Sequence, residues 1–385
     1  MKFITYTRLS FAAFAGLTLA SAAYAQSSSG FDTSAPHAVI MDSATGVVLY
    51  EKEARRPIAP ASMTKILTAH LVFDAIRSGR ITLDTEFKVS EEAWRRGGVK
   101  SGSSTMFLDV GSSVRVEDLL RGVIIQSGND ACIVLAEGLA GSETAFADMM
   151  TAHAREIGLS SVTFRNATGW PHPEHRISTY DLARLAQLTI ELYPEYYSFY
   201  SEGSFEWNGI SQGNRNPLLG KITGADGLKT GHTEVSGYGL VGSAKRGNER
   251  RIIVLNGLNS KKERSDESIK MMTAAFDSFA TYKLYGAGEK VGEVGVYMGA
   301  DEVVDAIVPN EIIAGLYRAD RSKLATQLRY STAVAPITKG DEIAQLIIME
   351  PGKAEHSVPV VAAQDVPKLS AFGRVMRVLK AKIQG

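Results

Sequence analysis

One cysteine in 385 residues excludes an intramolecular disulfide. Cys132 sits in an apolar helical stretch, where a thiol reads as a small buried hydrophobe rather than a reactive group. Neither sign of charge is in excess: 42 Lys and Arg face 42 Asp and Glu, and this balance gives no electrostatic footprint for nucleic acid. Internal repeats and extended low-complexity tracts are absent. Histidine is sparse. The one close pair, His172 and His175, has Pro173 between its members, which argues against a regular helix presenting both to a metal. No further ligand cluster accompanies them, so neither a metal nor another cofactor is expected. The apolar run Leu9 to Ala20 is too short to span a bilayer comfortably.

That run follows Lys2 and Arg8 and precedes Ala23-Tyr24-Ala25, the pattern of a cleaved signal peptide over residues 1–25. The expected mature chain begins at Gln26, is periplasmic, and carries 40 basic and 42 acidic residues. Its roughly 360 residues suffice for one large domain and one small one, each with its own core.

Residues 26–36 are Ser- and Gly-rich and read as a flexible N-terminus. From Ala38 to Tyr50 the pattern predicts two strands around a turn at Ser43 to Gly46. A helix follows, opened by Pro60 and closed by Gly79. Further helices are expected at Asn129–Gly138, Ser178–Leu192 and Ser265–Tyr282, with strands at Tyr238–Ala244 and Arg251–Leu258. Beyond Gly286, short alternating runs with turn signals read as a small all-β domain over 285–366. Lys368 to Ile383 places Leu369, Phe372, Val375, Met376, Leu379 and Ile383 on one helical arc. Lys368, Arg374, Arg377, Lys380 and Lys382 add five cations and no acid. Such a helix, over 367–385, suits the headgroup plane of an anionic membrane; the competing reading is a terminal helix docked on its own domain.

Three short motifs could carry chemistry. Ser62-Met63-Thr64-Lys65 is the only S-x-x-K in the chain, and residues three apart on a helix share a face. A serine hydroxyl becomes a nucleophile when a base takes its proton, and lysine serves as that base if burial and a nearby cation lower its pKa. Ser127-Gly128-Asn129 lies between an apolar run and a helix, where Gly128 permits a tight turn presenting both side chains to one cleft. Lys229-Thr230-Gly231 precedes the strand-rich stretch. Its lysine and hydroxyl suit a substrate carboxylate, Gly231 lets a substrate backbone lie against the strand, and the N–H of His232 is a candidate oxyanion donor. Lys100-Ser101-Gly102 also fits K-[ST]-G but precedes Ser127, out of order, and is set aside.

Alone, each motif is weak; S-x-x-K, S-x-N and K-T-G in this order form the signature of penicillin-recognising serine enzymes. The sequence resembles the serine D-alanyl-D-alanine carboxypeptidases of low molecular mass, the family that includes penicillin-binding proteins 5 and 6. The likeness extends to Arg56–Ala61, Ser90–Trp94, Gly122–Cys132, Phe164–Gly169, Asn214-Arg215-Asn216 and Gly231–Gly237. It implies an α/β (α+β) penicillin-binding/β-lactamase-like catalytic domain over 37–284, its antiparallel sheet flanked by helices, followed by a small β-sandwich and a terminal amphipathic helix. It also implies that Ser62 forms an acyl-enzyme, Lys65 is its base and Ser127 moves protons. Asn129 and Lys229, with Thr230, would position the peptide and its carboxylate. The amides of Ser62 and His232 would bind the oxyanion, and Arg264 resembles a family arginine near the cleft. One departure is Trp170-Pro171-His172-Pro173, where relatives carry an aliphatic residue directly after the glycine.

The partners implied are peptidoglycan stem peptides, β-lactams and an anionic membrane surface; self-association as a homodimer is left open. A class A β-lactamase would need a carboxylate for deacylation, and no E-x-x-L-N pattern lies between Asn129 and Lys229. A cross-linking transpeptidase would need a large extra domain for which the chain lacks room. A non-catalytic wall-binding module would keep the cleft and lose acylation.

Overall fold

The computed structural model of the chain describes residues 30–373 and 375–377. The expected signal peptide, residues 26–29 and the tail beyond 377 lie outside these. The central sheet has five strands: β1 (His37–Asp42), β2 (Val48–Lys52), β3 (Ala225–Thr233), β4 (Gly237–Arg246) and β5 (Glu249–Leu258). Their order is β2-β1-β5-β4-β3, antiparallel throughout. Successive side chains on a strand point to opposite faces. Val39, Met41, Ile252 and Val254 therefore enter one core, while Ala38, Ile40, Ile253 and Leu255 enter another. The runs are apolar without a break because both faces are covered. Helices α1 (Lys65–Arg77), α2 (Asn129–Ala140) and α3 (Thr179–Leu192) belong to the first core, and α4 (Lys261–Asp277) covers the other face. Arg251, 1% exposed, pairs with Asp42 and donates to the Ala275 carbonyl, linking two strands to α4.

Beyond α4 the chain forms strands β6 (Phe279–Tyr285), β7 (Lys290–Tyr297), β8 (Val303–Ile307), β9 (Ile312–Tyr317), β10 (Ala325–Arg329), β11 (Ala333–Val334), β12 (Glu342–Met349) and β13 (His356–Ala362). They form a six-stranded sheet ordered β10-β12-β13-β8-β7-β11 and a ribbon of β6 with β9. Val294, Val304, Leu346 and Val360 turn inward to a separate small core. The expected all-β second domain is present.

Three expectations are corrected. The helix expected to reach Tyr282 stops at Asp277, because Phe279, Thr281 and Tyr282, all good strand formers, pair with β9 instead. The junction accordingly falls near Ser278, ahead of 285. The N-terminal segment is packed from residue 31 onward: Phe31 sits edge-on to Tyr50 and Phe279, and Thr33 donates to Glu267. The five tail cations, expected to face a membrane with no acid among them, do not all stand free: Arg377 meets Glu302 at 3.1 Å and the Gly299 carbonyl at 3.2 Å. The helical residues 371–373 and 375–377 expose Phe372, Val375 and Met376 by 76, 58 and 50%. No described helix is long and apolar enough to cross a membrane.

Lys353 is one of the side chains that join the two domains. Nζ of Lys353 donates to the carbonyls of Val48 (2.7 Å) and Gly315 (2.6 Å) and pairs with Glu350 at 2.7 Å.

Candidate active site

Ser62 lies in a 3-10 turn, Ala61–Thr64, that runs into α1. Residues three apart eclipse in such a turn, which brings Nζ of Lys65 to 3.0 Å from Oγ of Ser62. Ala61 holds φ at +48°, a left-handed conformation that persists where neighbours over-determine it. Those neighbours are two glycines. A Cβ on Gly169 would lie 1.8 Å from the Ala61 carbonyl oxygen, and one on Gly231 would lie 2.8 Å from that of Pro60. The room expected at Gly231 for a substrate backbone is thus taken first by the turn that carries Ser62.

Lys65 is 1% exposed. Its Nζ also lies 2.8 Å from Oδ1 of Asn129 and 2.6 Å from the Thr168 carbonyl. Burial is the main cause that brings this amine down to about 8, and the Arg215 guanidinium adds to it. A neutral amine has two N–H groups and one lone pair. Charged, the amine donates to all three oxygens; once neutral, it keeps its two hydrogens for the carbonyl acceptors and turns its lone pair to the hydroxyl of Ser62.

The second motif is shaped differently from the expectation. Residues 122–126 form a π-helical turn, and Ser127, not Gly128, adopts the left-handed conformation (φ 61°, ψ 31°) before α2 begins. π-Turns of this kind concentrate at functional sites. Gly128 is needed for closeness, since a Cβ there would sit 2.9 Å from Oδ1 of Asp130 and 3.0 Å from Met106. Asn129 accepts from Lys65 and donates through Nδ2 to Ser103 Oγ at 2.8 Å. Asp130, fully buried, accepts from the hydroxyl of Thr105 and the amides of Met106 and Leu108, pinning the 103–108 loop to the start of α2. Cys132 is buried on α2, and burial pushes its thiol up to about 12.

The third motif lies on β3, whose Lys229 and Thr230 are buried. Burial is the first cause of a strong downward shift at Lys229, and the charges of Lys65, Arg215 and Arg264 press on it as well. His232 pairs across the sheet with Tyr238, ring on ring at 3.8 Å, and the Arg264 guanidinium lies 5.8 Å from the centre of that Tyr238 ring. Arg264 therefore reaches the site through Tyr238 and His232.

These segments enclose a cavity of about 530 Å³ lined by Ser62, Asn129, His232 and Thr233 on the motif side. Its other walls are Gly102 to Ser104, Thr168 to Trp170, and Arg215. No carboxylate lines it. Ser62, Asn129 and His232 thus face one cavity with Lys65 buried against Ser62, while Ser127, Lys229 and Thr230 are buried and do not line it. Sequence reasoning assigned no role to Ser103, Ser104, Thr168 or Arg215. Arg215 donates to Ser104 Oγ at 2.6 Å and sets positive charge against the cleft. Asn214-Arg215-Asn216 and Phe164–Gly169 were visible as family-like segments, but their contacts to the site come only from folding. The set-aside Lys100-Ser101-Gly102 leads directly into the Ser103–Ser104 wall. His175 is occupied on both nitrogens, with Nε2 2.9 Å from Thr64 Oγ1 and Nδ1 accepting the Arg165 amide at 3.2 Å. Among the described residues no group of three or more His, Cys, Asp or Glu could hold a metal ion.

A serine presented on a helical turn, with a buried amine against its hydroxyl and a cationic cleft beside an antiparallel strand, defines a serine acyl-transfer hydrolase. The chain belongs to the peptidase S11 family of D-alanyl-D-alanine carboxypeptidases, which it matches over residues 22–260, and residues 279–368 match the C-terminal domain of penicillin-binding protein 5. It is 37% identical to the D-alanyl-D-alanine carboxypeptidase DacD of Escherichia coli over 341 residues, 88% of each chain. Penicillin-binding protein 5 of Haemophilus influenzae superposes with a TM-score of 0.71 at 34% identity, covering 88% of this chain and 99% of that one. Penicillin-binding protein D2 of Listeria monocytogenes, in its ampicillin-bound form, superposes at 0.55 with 29% identity, covering 64% and 99%.

Proposed function

We propose that Ser62 removes the terminal D-alanine of a peptidoglycan stem peptide through an acyl-enzyme. Oγ of Ser62 attacks the carbonyl carbon of the penultimate residue, and its proton passes to the free lone pair of Lys65. The oxyanion that forms is held by the amides of Ser62 and His232. As the C–N bond breaks, the proton travels by the Ser127 hydroxyl to the amine of the departing D-alanine. Water then repeats the sequence at the ester and frees Ser62. Lys229 and Thr230 hold the terminal carboxylate, Arg264 adds positive charge from behind Tyr238, and Asn129 orients the peptide with its remaining N–H. A bound carboxylate would restore to Lys229 the charge that burial disfavours.

The contact between Lys65 and Ser62, made by a buried amine that has two other acceptors for its hydrogens once it is neutral, carries this reading. The ampicillin-bound Listeria relative supports β-lactams as a second class of acyl donor. With no carboxylate on the cavity wall, their acyl-enzymes should be long-lived, which argues against a β-lactamase. The decisive experiment incubates the protein with benzylpenicillin and with a peptide ending in D-Ala-D-Ala. Mass spectrometry should place the penicilloyl adduct on Ser62, and D-alanine should be released; Ser62→Ala should do neither. A wild-type protein with no adduct on Ser62 would overturn the mechanism.

The export pattern of residues 1–25 and the basic tail support a periplasmic enzyme held on the outer face of the cytoplasmic membrane. The exposed Phe372, Val375 and Met376 suit that placement.

A further inference from the structure

Among the cavity-lining residues, Trp170 is unlike the rest. The others are small, polar or cationic, and Trp170 is the one large apolar surface. Its placement is over-determined. Its amide donates to Oδ1 of Asn166 at 3.0 Å, and its carbonyl accepts from Nδ2 of the same residue at 3.1 Å. The Arg96 guanidinium lies 5.2 Å from the centre of its ring, and Arg96 is itself held by Glu143 at 3.1 Å. Glu143 in turn accepts the Ala167 amide at 3.1 Å, so the indole and the 166–170 loop are braced from the same carboxylate. That loop supplies the Thr168 carbonyl to Lys65.

We infer that Trp170 is a specificity-determining residue, a rigid aromatic platform that selects acyl donors bearing a flat or long apolar side chain. This rests on the acyl-enzyme reading of the same cavity. Arg215 on the wall and the buried Lys229 supply the positive charge that a terminal carboxylate would seek, which leaves the acyl part the neutral lining that includes the indole. An aromatic ring supplies large contact area with little side-chain entropy to lose. Loss of one well-packed apolar contact changes discrimination by about 10- to 100-fold.

The experiment measures second-order acylation rates for two penicillins that share a nucleus. Benzylpenicillin carries an aryl acyl group, and 6-aminopenicillanic acid carries none. In Trp170→Leu the rate with benzylpenicillin should fall about tenfold relative to that with 6-aminopenicillanic acid, while Trp170→Phe should keep most of the preference. An equal fall with both compounds would make Trp170 a support for the Thr168 carbonyl and overturn the inference, as would no change in the ratio. A wild-type protein acylated by neither compound would instead defeat the underlying mechanism. Melting curves for both variants establish that the fold is intact.

Discussion

Oδ1 of Asn129 lies 2.8 Å from Nζ of Lys65, so the amide of the second motif is fastened to the amine of the first. An amide oxygen there accepts a hydrogen from the amine whether or not it is protonated, and so leaves it free to lose its proton. A carboxylate in its place would hold the ammonium form. In Asn129→Asp, the midpoint of acylation rate against pH should move up by at least about one unit, with a loss of about tenfold at pH 7. In the native enzyme the rate should rise with pH through about 8 as Lys65 becomes neutral. Benzylpenicillin acylation from pH 6 to 10 measures both; a lowered rate with an unmoved midpoint would confine Asn129 to substrate binding.

Acid should destabilise the fold through two imidazoles. Burial holds His70 down to about 3 and His175 to about 4, whereas both titrate near 6.5 in an unfolded chain. Below that value the unfolded state binds more protons, so stability is complete above about 6.5 and declines toward pH 4. The slope is at most about 1.4 kcal/mol per pH unit for each imidazole. His70 donates through Nδ1 to Thr189 Oγ1, which itself donates to the Leu185 carbonyl, and its Nε2 has no partner. Melting temperatures at pH 7.5, 5.5 and 4.5 should fall in order, and His70→Asn should flatten the dependence.

The ion pair of Asp42 and Arg251 is a stability element, remote from the chemistry. Removing the carboxylate leaves a guanidinium buried at 1% exposure with only the exposed Glu249, 3.3 Å away, as its counter-charge, and breaking such a buried pair costs up to about 3–5 kcal/mol. Urea unfolding of Asp42→Ala should register that loss, and Asp42→Ala with Arg251→Met should recover much of it. Acylation of the folded fraction should be unaffected.

Truncation tests the membrane placement. The Leu369 amide donates to the Met298 carbonyl at 2.9 Å, and Gly299 bridges to Lys368, so a cut after Leu369 spares the second domain. Deleting residues 370–385 should release the protein from anionic vesicles in a sedimentation assay while D-alanine release continues at its full rate. Undiminished sedimentation would end the anchoring proposal.

Much of the site was legible because its chemistry demands particular residue types at short spacing. A nucleophile and base three residues apart can be read from Ser62 and Lys65 without knowing anything distant. His232, which lines the cavity, could be read from its place after the K-T-G motif, whereas Lys229 is buried and does not line it. The 166–170 loop and the Ser103–Ser104 wall were not, since Thr168 acts through its backbone and Ser103 matters only once Asp130 has pinned its loop. The left-handed residue also escaped: glycine is the usual occupant of that conformation, so the sequence pointed to Gly128 and the fold used Ser127. Strand pairing overrode local pattern at Phe279, where a partner more than thirty residues ahead ended a helix early.

Lys353, gripping Val48, Gly315 and Glu350 together, couples the β-rich domain to an edge strand of the central sheet. Loss of that amine would strip a donor from the Val48 carbonyl and from the buried Glu350 carboxylate at once, so an injury in the small domain would be felt at the border of the large one.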